Sequence, residues 1–139
     1  MIFRTFKCLF LLAALFVSSG ALADKLRPFE SDGCSVFPDG TFSQKALWLS
    51  CCTVHDLAYW QGGTYEQRLN ADKALEVCVA EVGEPEIAVM MLAGVRVGGS
   101  PYWPTSFRWG YGWPYPRLYG VLTAKEEKAV KSELLKLAP

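Results

Sequence analysis

The chain has little of several features that mark common functional classes. Its 139 residues include one histidine, His55, and equal numbers of basic and acidic residues, 14 of each. Because no positive charge is in excess, there is no electrostatic basis for nucleic-acid binding. The sequence also lacks internal repeats, a glycine-rich phosphate loop and a G-x-S-x-G motif. The sequence therefore gives no sign of a nucleotide-binding loop or of a serine nucleophile.

Residues 1–23 have the pattern of a secretory signal peptide. Arg4 and Lys7 precede the apolar run CLFLLAALFV, and ALA at positions 21–23 is a small-residue cleavage site. The run is short for a membrane anchor, which is the alternative interpretation. We therefore expect an exported protein, periplasmic or secreted, with one domain over residues 24–139. That domain would carry 12 basic and 14 acidic residues, since both charged residues of the leader are basic.

Cysteine is scarce as well. With Cys8 set aside in the leader, Cys34, Cys51, Cys52 and Cys78 remain. Export predicts that they form two disulfide bonds. Neighbours on a helix point about 100° apart, so a bond between Cys51 and Cys52 would be strained. Cys34 must then bond to one of these neighbours and Cys78 to the other, and spacing alone does not choose between the two options.

Periodicity and capping residues predict a small, disulfide-linked, all-α domain with two antiparallel core helices. A flexible lead-in over residues 24–30 and a turn-rich loop over 32–40 precede the first helix. Gly62 is expected to end that helix, and capping boxes are expected at its start and at the starts of the second and last helices. The predicted helices run from Thr41 to Trp60, from Thr64 to Val82, from Glu86 to Val97, and onward from Thr123.

Residues 99–119 are predicted to form an ordered aromatic loop. This segment of 21 residues holds eight aromatic residues, four prolines and three glycines, a mixture that no regular element tolerates. We favour packing of the rings onto the helix pair, because a small domain needs that apolar area. The alternative is a membrane-interface role, in which Arg96, Arg108 and Arg117 would meet lipid phosphates. For the apolar run IAVMMLAGV just before the loop, a core helix is favoured over a membrane segment.

The lone histidine belongs to a group with chemical potential. Cys51, His55 and Tyr59 follow one another at steps of four and share a helix face. Asp72 precedes Cys78 by six residues, nearly two helical turns. If Cys78 bonds to the first helix in an antiparallel pair, Asp72 lies near His55 and Tyr59. A carboxylate there can accept the imidazole N–H and stabilise the imidazolium, which would make His55 a general base.

Asp56, next to this base, is free for another role. A carboxylate beside a turn-rich loop can complete an oxygen cage with backbone carbonyls, which suits calcium, and the ion would act as a Lewis acid. A zinc site made of Cys51, Cys52, His55 and Cys78 is the alternative metal hypothesis, but export favours disulfides. A structural role for His55, the ordinary role of a lone helical histidine, is the plainest alternative to catalysis.

At these residues the chain resembles the secreted phospholipase A2 superfamily. That family carries Cys-Cys-x-x-His-Asp-x-Cys-Tyr on one helix and Cys-Asp followed later by Cys on the facing helix. The chain has CCTVHDLAY over residues 51–59 and NADKALEVC over residues 70–78. Ala58 and Ala71 replace two family cysteines that bond to each other, so their joint absence corresponds to one deleted bridge. The resemblance covers about residues 32–79.

The resemblance implies a calcium-dependent hydrolase that cleaves the sn-2 acyl ester of phospholipids at a membrane surface. His55 would be the base, Asp72 would orient it, and Tyr59 would hydrogen-bond Asp72. The resemblance also implies calcium binding by Asp56 and by the loop carbonyls of Gly33, Ser35 and Phe37. The implied disulfides are Cys34–Cys52 and Cys51–Cys78.

The loop GCSVFPDG departs from the family pattern, because Ser35 and Phe37 stand where glycines are usual.

Two other functions are alternatives to the hydrolase: a non-catalytic member of the same fold that binds lipid or protein, and a zinc or thiol-redox protein. Nothing in the sequence identifies a protein inhibitor as a partner.

Overall fold

A computed structural model describes residues 25–138 as a small disulfide-linked helical domain. This part of the chain contains four α-helices and no β-strand. The expected signal peptide over residues 1–23 lies outside the described residues. The helices are α1 (Leu49–Gln61), α2 (Tyr65–Glu81), α3 (Pro85–Gly98) and α4 (Ala124–Leu137).

The predicted start of the first helix at Thr41 is wrong. The Thr41 hydroxyl accepts from the Gln44 N–H at 3.0 Å, as a cap would, but residues 41–48 form turns. The Trp48 N–H bonds to Asp39 O at 3.1 Å instead of to the carbonyl four residues earlier. The Trp48 indole donates to Pro38 O at 2.6 Å. Because Trp48 is held against the preceding loop in this way, α1 begins only at Leu49.

The first two helices form an antiparallel pair. Cys51 bonds to Cys78, and four residues further along α1 His55 contacts Asp72. As the numbers rise on α1 they fall on α2, so the two helices run in opposite directions. The second bridge joins Cys34 to Cys52 and attaches the preceding loop to the same turn of α1. Of the two pairings that the spacing allowed, the structure has the one that the resemblance implies.

Two hydrophobic clusters lie on either side of α1. The disulfide cluster lies where α1, α2 and α3 meet, and its buried residues are Trp48, Cys51, Cys52, Leu75, Val79, Ala88 and Met91. The aromatic cluster joins α1 to the loop over 99–119 and to α4, and its buried residues are Leu26, Trp60, Trp113 and Val130.

The aromatic loop packs onto the helix pair, as favoured. Trp109 and Trp113 are each 2% exposed, and the indoles of both donate to backbone carbonyls at the end of α1 or just beyond it. Tyr102, Trp103 and Tyr115 remain exposed. Of the eight rings, two are thus fully buried, three are half-buried and three face solvent.

Residues 25–30, the described part of the lead-in, do not form the flexible segment that was predicted for residues 24–30. Leu26 is 6% exposed and belongs to the aromatic cluster. The Arg27 N–H donates to Gly112 O at 2.8 Å, and Arg27 O accepts from the Trp60 indole at 2.8 Å. The segment's backbone bonds are thus made with distant residues, which local sequence does not indicate. None of the helices within residues 25–138 is both long and apolar enough to cross a membrane.

Candidate active site

The core of the candidate site is a buried pair formed by His55 and Asp72. His55 is 8% exposed and Asp72 is completely buried. The imidazole Nε2 lies 3.0 Å from Asp72 Oδ1. An ionised carboxylate only accepts hydrogen bonds, so Nε2 carries the proton and Nδ1 is left with a free lone pair. The antiparallel register fixed by Cys51–Cys78 brings the two side chains together across the helix pair.

Tyr59 completes the arrangement from one turn further along α1. Its hydroxyl donates to the same Asp72 Oδ1 at 2.6 Å, and its ring centroid lies 4.2 Å from that of His55. Burial, with the nearby Asp72 charge, raises the pKa of Tyr59, so the hydroxyl stays protonated and remains a donor. A side chain at Gly99 would collide with the Tyr59 ring, because a Cβ there would lie 2.4 Å from a ring carbon. A glycine is therefore required where the loop passes the site.

Two arginines surround the other side of Asp72, and sequence reasoning did not assign them to the site. Arg96 Nε lies 2.7 Å from Asp72 Oδ2 as an ion pair whose angles do not form a hydrogen bond. Arg68 Nε donates to the Tyr59 hydroxyl at 3.0 Å and lies 4.0 Å from Asp72 Oδ2. The four-residue spacing between Arg68 and Asp72 on α2 was a signal that could have identified Arg68. No local signal places Arg96, which comes from α3.

Asp56 lies on α1 beside the loop, as predicted, and is 8% exposed. Burial raises its pKa from 3.8 to about 6, against the lowering effect of the hydrogen bond from Ser31, while the nearby Asp32 charge raises it further. The Ser31 hydroxyl donates to Asp56 Oδ2 at 2.6 Å. Ser31 is a second residue that sequence reasoning missed. A cation beside Asp56 would offset the cost of its buried negative charge.

The loop over residues 33–37 faces the same space as His55 and Asp56. Gly33 and Ser35 both adopt positive φ, 77° and 57°. Ser35 therefore takes a backbone conformation that glycine adopts more easily, and its hydroxyl bonds to Asp32 Oδ1 at 2.9 Å. Phe37 packs its ring against Trp48, with centroids 6.4 Å apart. The two departures from a glycine-rich loop are thus accommodated locally.

Within residues 25–138, no group of three or more histidine, cysteine, aspartate or glutamate side chains converges on a possible metal position. The calcium set predicted from the sequence is not such a group, because it has one carboxylate and takes its other oxygens from the backbone. For zinc the result is different. The three cysteines of the zinc alternative, Cys51, Cys52 and Cys78, are all in disulfide bonds, so none is available as a zinc thiolate or as a free thiol.

A pocket of about 330 Å³ opens over these residues. Its lining includes His55, Asp56, Tyr59 and the loop over 33–37. The opposite wall is apolar and comes from α3 and the aromatic loop, namely Met90, Met91, Gly94, Val95, Gly98, Gly99 and Phe107. The arrangement presents a free imidazole nitrogen and a carboxylate to an apolar cavity, which suits hydrolysis of a hydrophobic ester.

A second cavity of about 340 Å³ lies on the far side of Asp56. Asp56 and Phe107 line both cavities, and this one is more polar, with Arg27, Glu30 and Asp32 in its wall.

The three arginines considered for lipid phosphates have partners within the protein. Arg108 is 3% exposed and donates to Trp113 O, and Arg117 pairs with Glu126 at 2.8 Å. With Arg96 held by Asp72, the proposed phosphate contacts of all three are not supported.

No protein-family model, curated protein or solved structure matches this chain.

Proposed function

We propose that the chain is an exported, calcium-dependent phospholipase A2-type esterase that hydrolyses the sn-2 acyl ester of glycerophospholipids. One observation carries the proposal: the buried Asp72 and Tyr59 hold the imidazole of His55 at the base of an apolar cavity. The spacing of these residues in the sequence matches the phospholipase A2 pattern. Export remains a prediction from residues 1–23, and the two disulfides are compatible with it.

In the proposed reaction His55 acts on water. Nδ1 takes a proton as the water oxygen attacks the ester carbonyl, and the carbonyl π electrons move to its oxygen. Asp72 stabilises the resulting imidazolium through Nε2. Collapse of the tetrahedral intermediate breaks the bond to the glycerol oxygen, which takes the proton back from Nδ1. The products are a fatty acid and a lysophospholipid, and no covalent enzyme intermediate forms.

The residues beside the cavity fit a calcium ion in donor type. Asp56 offers a carboxylate whose negative charge is disfavoured by burial, and the loop offers the carbonyls of Gly33, Ser35 and Phe37. Hard oxygen donors of this kind are the ones that calcium prefers. When bound, the ion would supply Lewis-acid stabilisation of the developing oxyanion. The chain's own contribution is to hold Asp56 next to His55 and to bend the loop through its two positive-φ residues.

The rim of the cavity supports a lipid substrate presented from a membrane surface. Val36 is 90% exposed and Met90 is 57% exposed, and both line the cavity. Apolar side chains left in water at a cavity mouth favour an apolar partner. The same rim also suits the second candidate function, a lipid-binding module of similar architecture without turnover.

Fatty-acid release from phosphatidylcholine and phosphatidylglycerol vesicles separates these two functions. We expect calcium-dependent release by wild type and release at the buffer rate by His55→Ala, because the base is gone. Circular dichroism checks that the variant folds. Vesicle co-sedimentation of both proteins without fatty-acid release by wild type would support the binding module instead.

The calcium role is tested in the same assay. Asp56→Asn removes the only carboxylate of the proposed ion set and is expected to abolish both calcium dependence and release. Thermal unfolding with and without calcium provides a second measurement, since an ion that binds the folded chain raises the melting temperature. Full activity of wild type in chelator would contradict the role of the ion.

A further inference from the structure

The two oxygens of Asp72 have different partners. Oδ1 receives His55 Nε2 at 3.0 Å and the Tyr59 hydroxyl at 2.6 Å. Oδ2 has Arg96 Nε at 2.7 Å, while Arg68 is 4.0 Å away. Asp72 is completely buried, and neither Oδ2 nor Arg96 Nε has a hydrogen-bond partner within residues 25–138. The oxygen that faces away from the imidazole is therefore paired, by charge rather than by a hydrogen bond, mainly with one arginine from α3.

We propose that Arg96 is a positioning residue for the imidazole. It supplies the opposite charge that the buried Asp72 carboxylate needs, and it holds Oδ2 so that Oδ1 faces His55. A buried carboxylate without a countercharge is costly, and removing one partner of such a pair is strongly destabilising. The consequence for the rate rests on the proposed function, but the consequence for the imidazole does not.

Arg68 does not duplicate this role. Its Nε donates to Tyr59, Nη1 donates to the Tyr119 hydroxyl at 2.7 Å, and Nη2 donates to the carbonyls of Val95 and Arg96. These bonds join α2 to the last turn of α3. Arg68 is thus committed to the fold, and its charge is shared among several acceptors.

Arg96 also links its own helix to the site. Its Nη2 donates to Leu69 O at 3.1 Å, so the guanidinium spans from α3 to α2 one turn before Asp72. Its side chain is 37% exposed, so it reaches Asp72 from the surface. The position of α3, which forms the apolar wall of the cavity, is in this way coupled to the orientation of the imidazole.

His55 is the sole histidine, so its imidazole N–H gives one unambiguous signal in the spectrum of ¹⁵N-labelled protein. The solvent-exchange rate of that Nε2 proton measures how firmly Asp72 holds it. In Arg96→Met we expect this exchange to be at least about tenfold faster relative to the backbone amides of α1. The amides serve as an internal reference for general loss of stability. An unchanged ratio in a folded Arg96→Met variant overturns the proposal.

Arg117→Met is the matched control, because it removes an arginine–carboxylate pair of 2.8 Å that lies away from the site. The exchange ratio of this control should equal that of wild type; an equal rise in both variants would overturn the proposal. Arg96→Lys keeps the charge and should restore the ratio to within about threefold. If Arg96→Met does not fold, the lysine variant decides. A folded lysine variant with a firmly held proton supports the proposal, whereas a lost proton signal, or failure to fold, assigns Arg96 a purely structural role.

Vesicle hydrolysis then tests the consequence for the rate. Arg96→Met should lower kcat by at least about tenfold while KM stays within about twofold, because Arg96 acts on the imidazole and does not itself line the cavity. A lower kcat without faster proton exchange would contradict positioning. If wild type releases no fatty acid, the proposed function fails, but the exchange experiment still decides the role of Arg96.

Discussion

The disulfide cluster and the aromatic cluster stabilise the same helix, α1, by different means. In the disulfide cluster, regular helices meet, Cys51–Cys78 fixes the register of α1 and α2, and Cys34–Cys52 attaches the preceding loop to α1. In the aromatic cluster, irregular backbone meets helix, and the indoles of Trp60 and Trp113 donate to carbonyls of Arg27 and Gln61. A buried indole covers a large apolar area and also satisfies a backbone acceptor. Buried aromatic rings thus attach the loop to α1, as disulfide bonds attach α2 and the preceding loop to it.

The candidate site lies between the bridged turn of α1 and the aromatic loop. His55 and Asp72 stand next to the bridged turn, whereas the Tyr59 ring packs edge-to-face on Trp109, with centroids 5.1 Å apart. The comparison predicts that chemistry depends on the bridged side and that stability depends on both sides. Four experiments test this division, in order of decreasing expected effect.

The largest effect is expected on turnover from Asp72→Asn. The amide cannot stabilise an imidazolium as a carboxylate does, so we expect fatty-acid release to fall by about 10²- to 10⁴-fold. Circular dichroism should show a folded chain. Glu126→Gln is the control on the aromatic side, because it removes a buried carboxylate but keeps the capping pattern of α4. Equal loss of turnover in both variants would break the comparison.

Trp113→Ala tests how much the aromatic side stabilises the fold. This ring is 2% exposed and its indole donates to Gln61 O at 2.7 Å. We expect the free energy of unfolding to fall by about 3–5 kcal/mol, measured by urea denaturation. Trp103→Ala, at a ring that is 57% exposed, should change it by less than about 0.5 kcal/mol. Similar losses of unfolding free energy in the two variants would mean that the loop stabilises the fold by general apolar contact rather than by the specific packing of Trp113.

Removal of the bridge between the core helices by Cys51→Ala with Cys78→Ala should cost about 3.5 kcal/mol, from the entropy of closing a loop of 27 residues. Because this bridge sets the register that pairs His55 with Asp72, turnover of the folded fraction should also fall. Cys34→Ala with Cys52→Ala removes a bridge that closes 18 residues and should cost about 3 kcal/mol. That pair should weaken calcium dependence more than it affects the imidazole. These assignments would be contradicted if loss of Cys34–Cys52 lowered turnover at saturating calcium more than loss of Cys51–Cys78 does.

The smallest effect is expected from the charge of Asp56 without calcium. Its pKa rises from 3.8 to about 6 on folding, mainly because of burial. The folded chain therefore binds more protons than the unfolded chain in this window, and stability falls as pH rises from about 4 to 6. Asp56→Asn removes this cost and should gain at most about 3 kcal/mol over wild type above pH 6, and little near pH 4. Urea denaturation in chelator measures it, and a pH-independent difference would contradict the burial explanation.

Local sequence pattern was sufficient to predict α2 and α4, whose first turns carry capping boxes. The capping boxes at Thr64 and Thr123 are present, and the helices they begin follow closely the predicted limits. The helix start at Thr41 failed although it had the same type of signal, because Trp48 bonds to the preceding loop instead of continuing the helix. Caps favour a helix start, but tertiary contacts decide whether the following residues complete it.

By itself, the sequence determined the all-helical class and, through four-residue spacing and one inferred bridge, the meeting of His55, Tyr59 and Asp72. Only the tertiary structure decided that Arg96 pairs with Asp72, that Ser31 bonds to Asp56, and that Leu26 enters a core. The physical reason is the distance along the sequence between the residues that make contact. Helical periodicity fixes which residues share a face, but contacts between distant segments depend on how whole elements pack, and no local spacing encodes that.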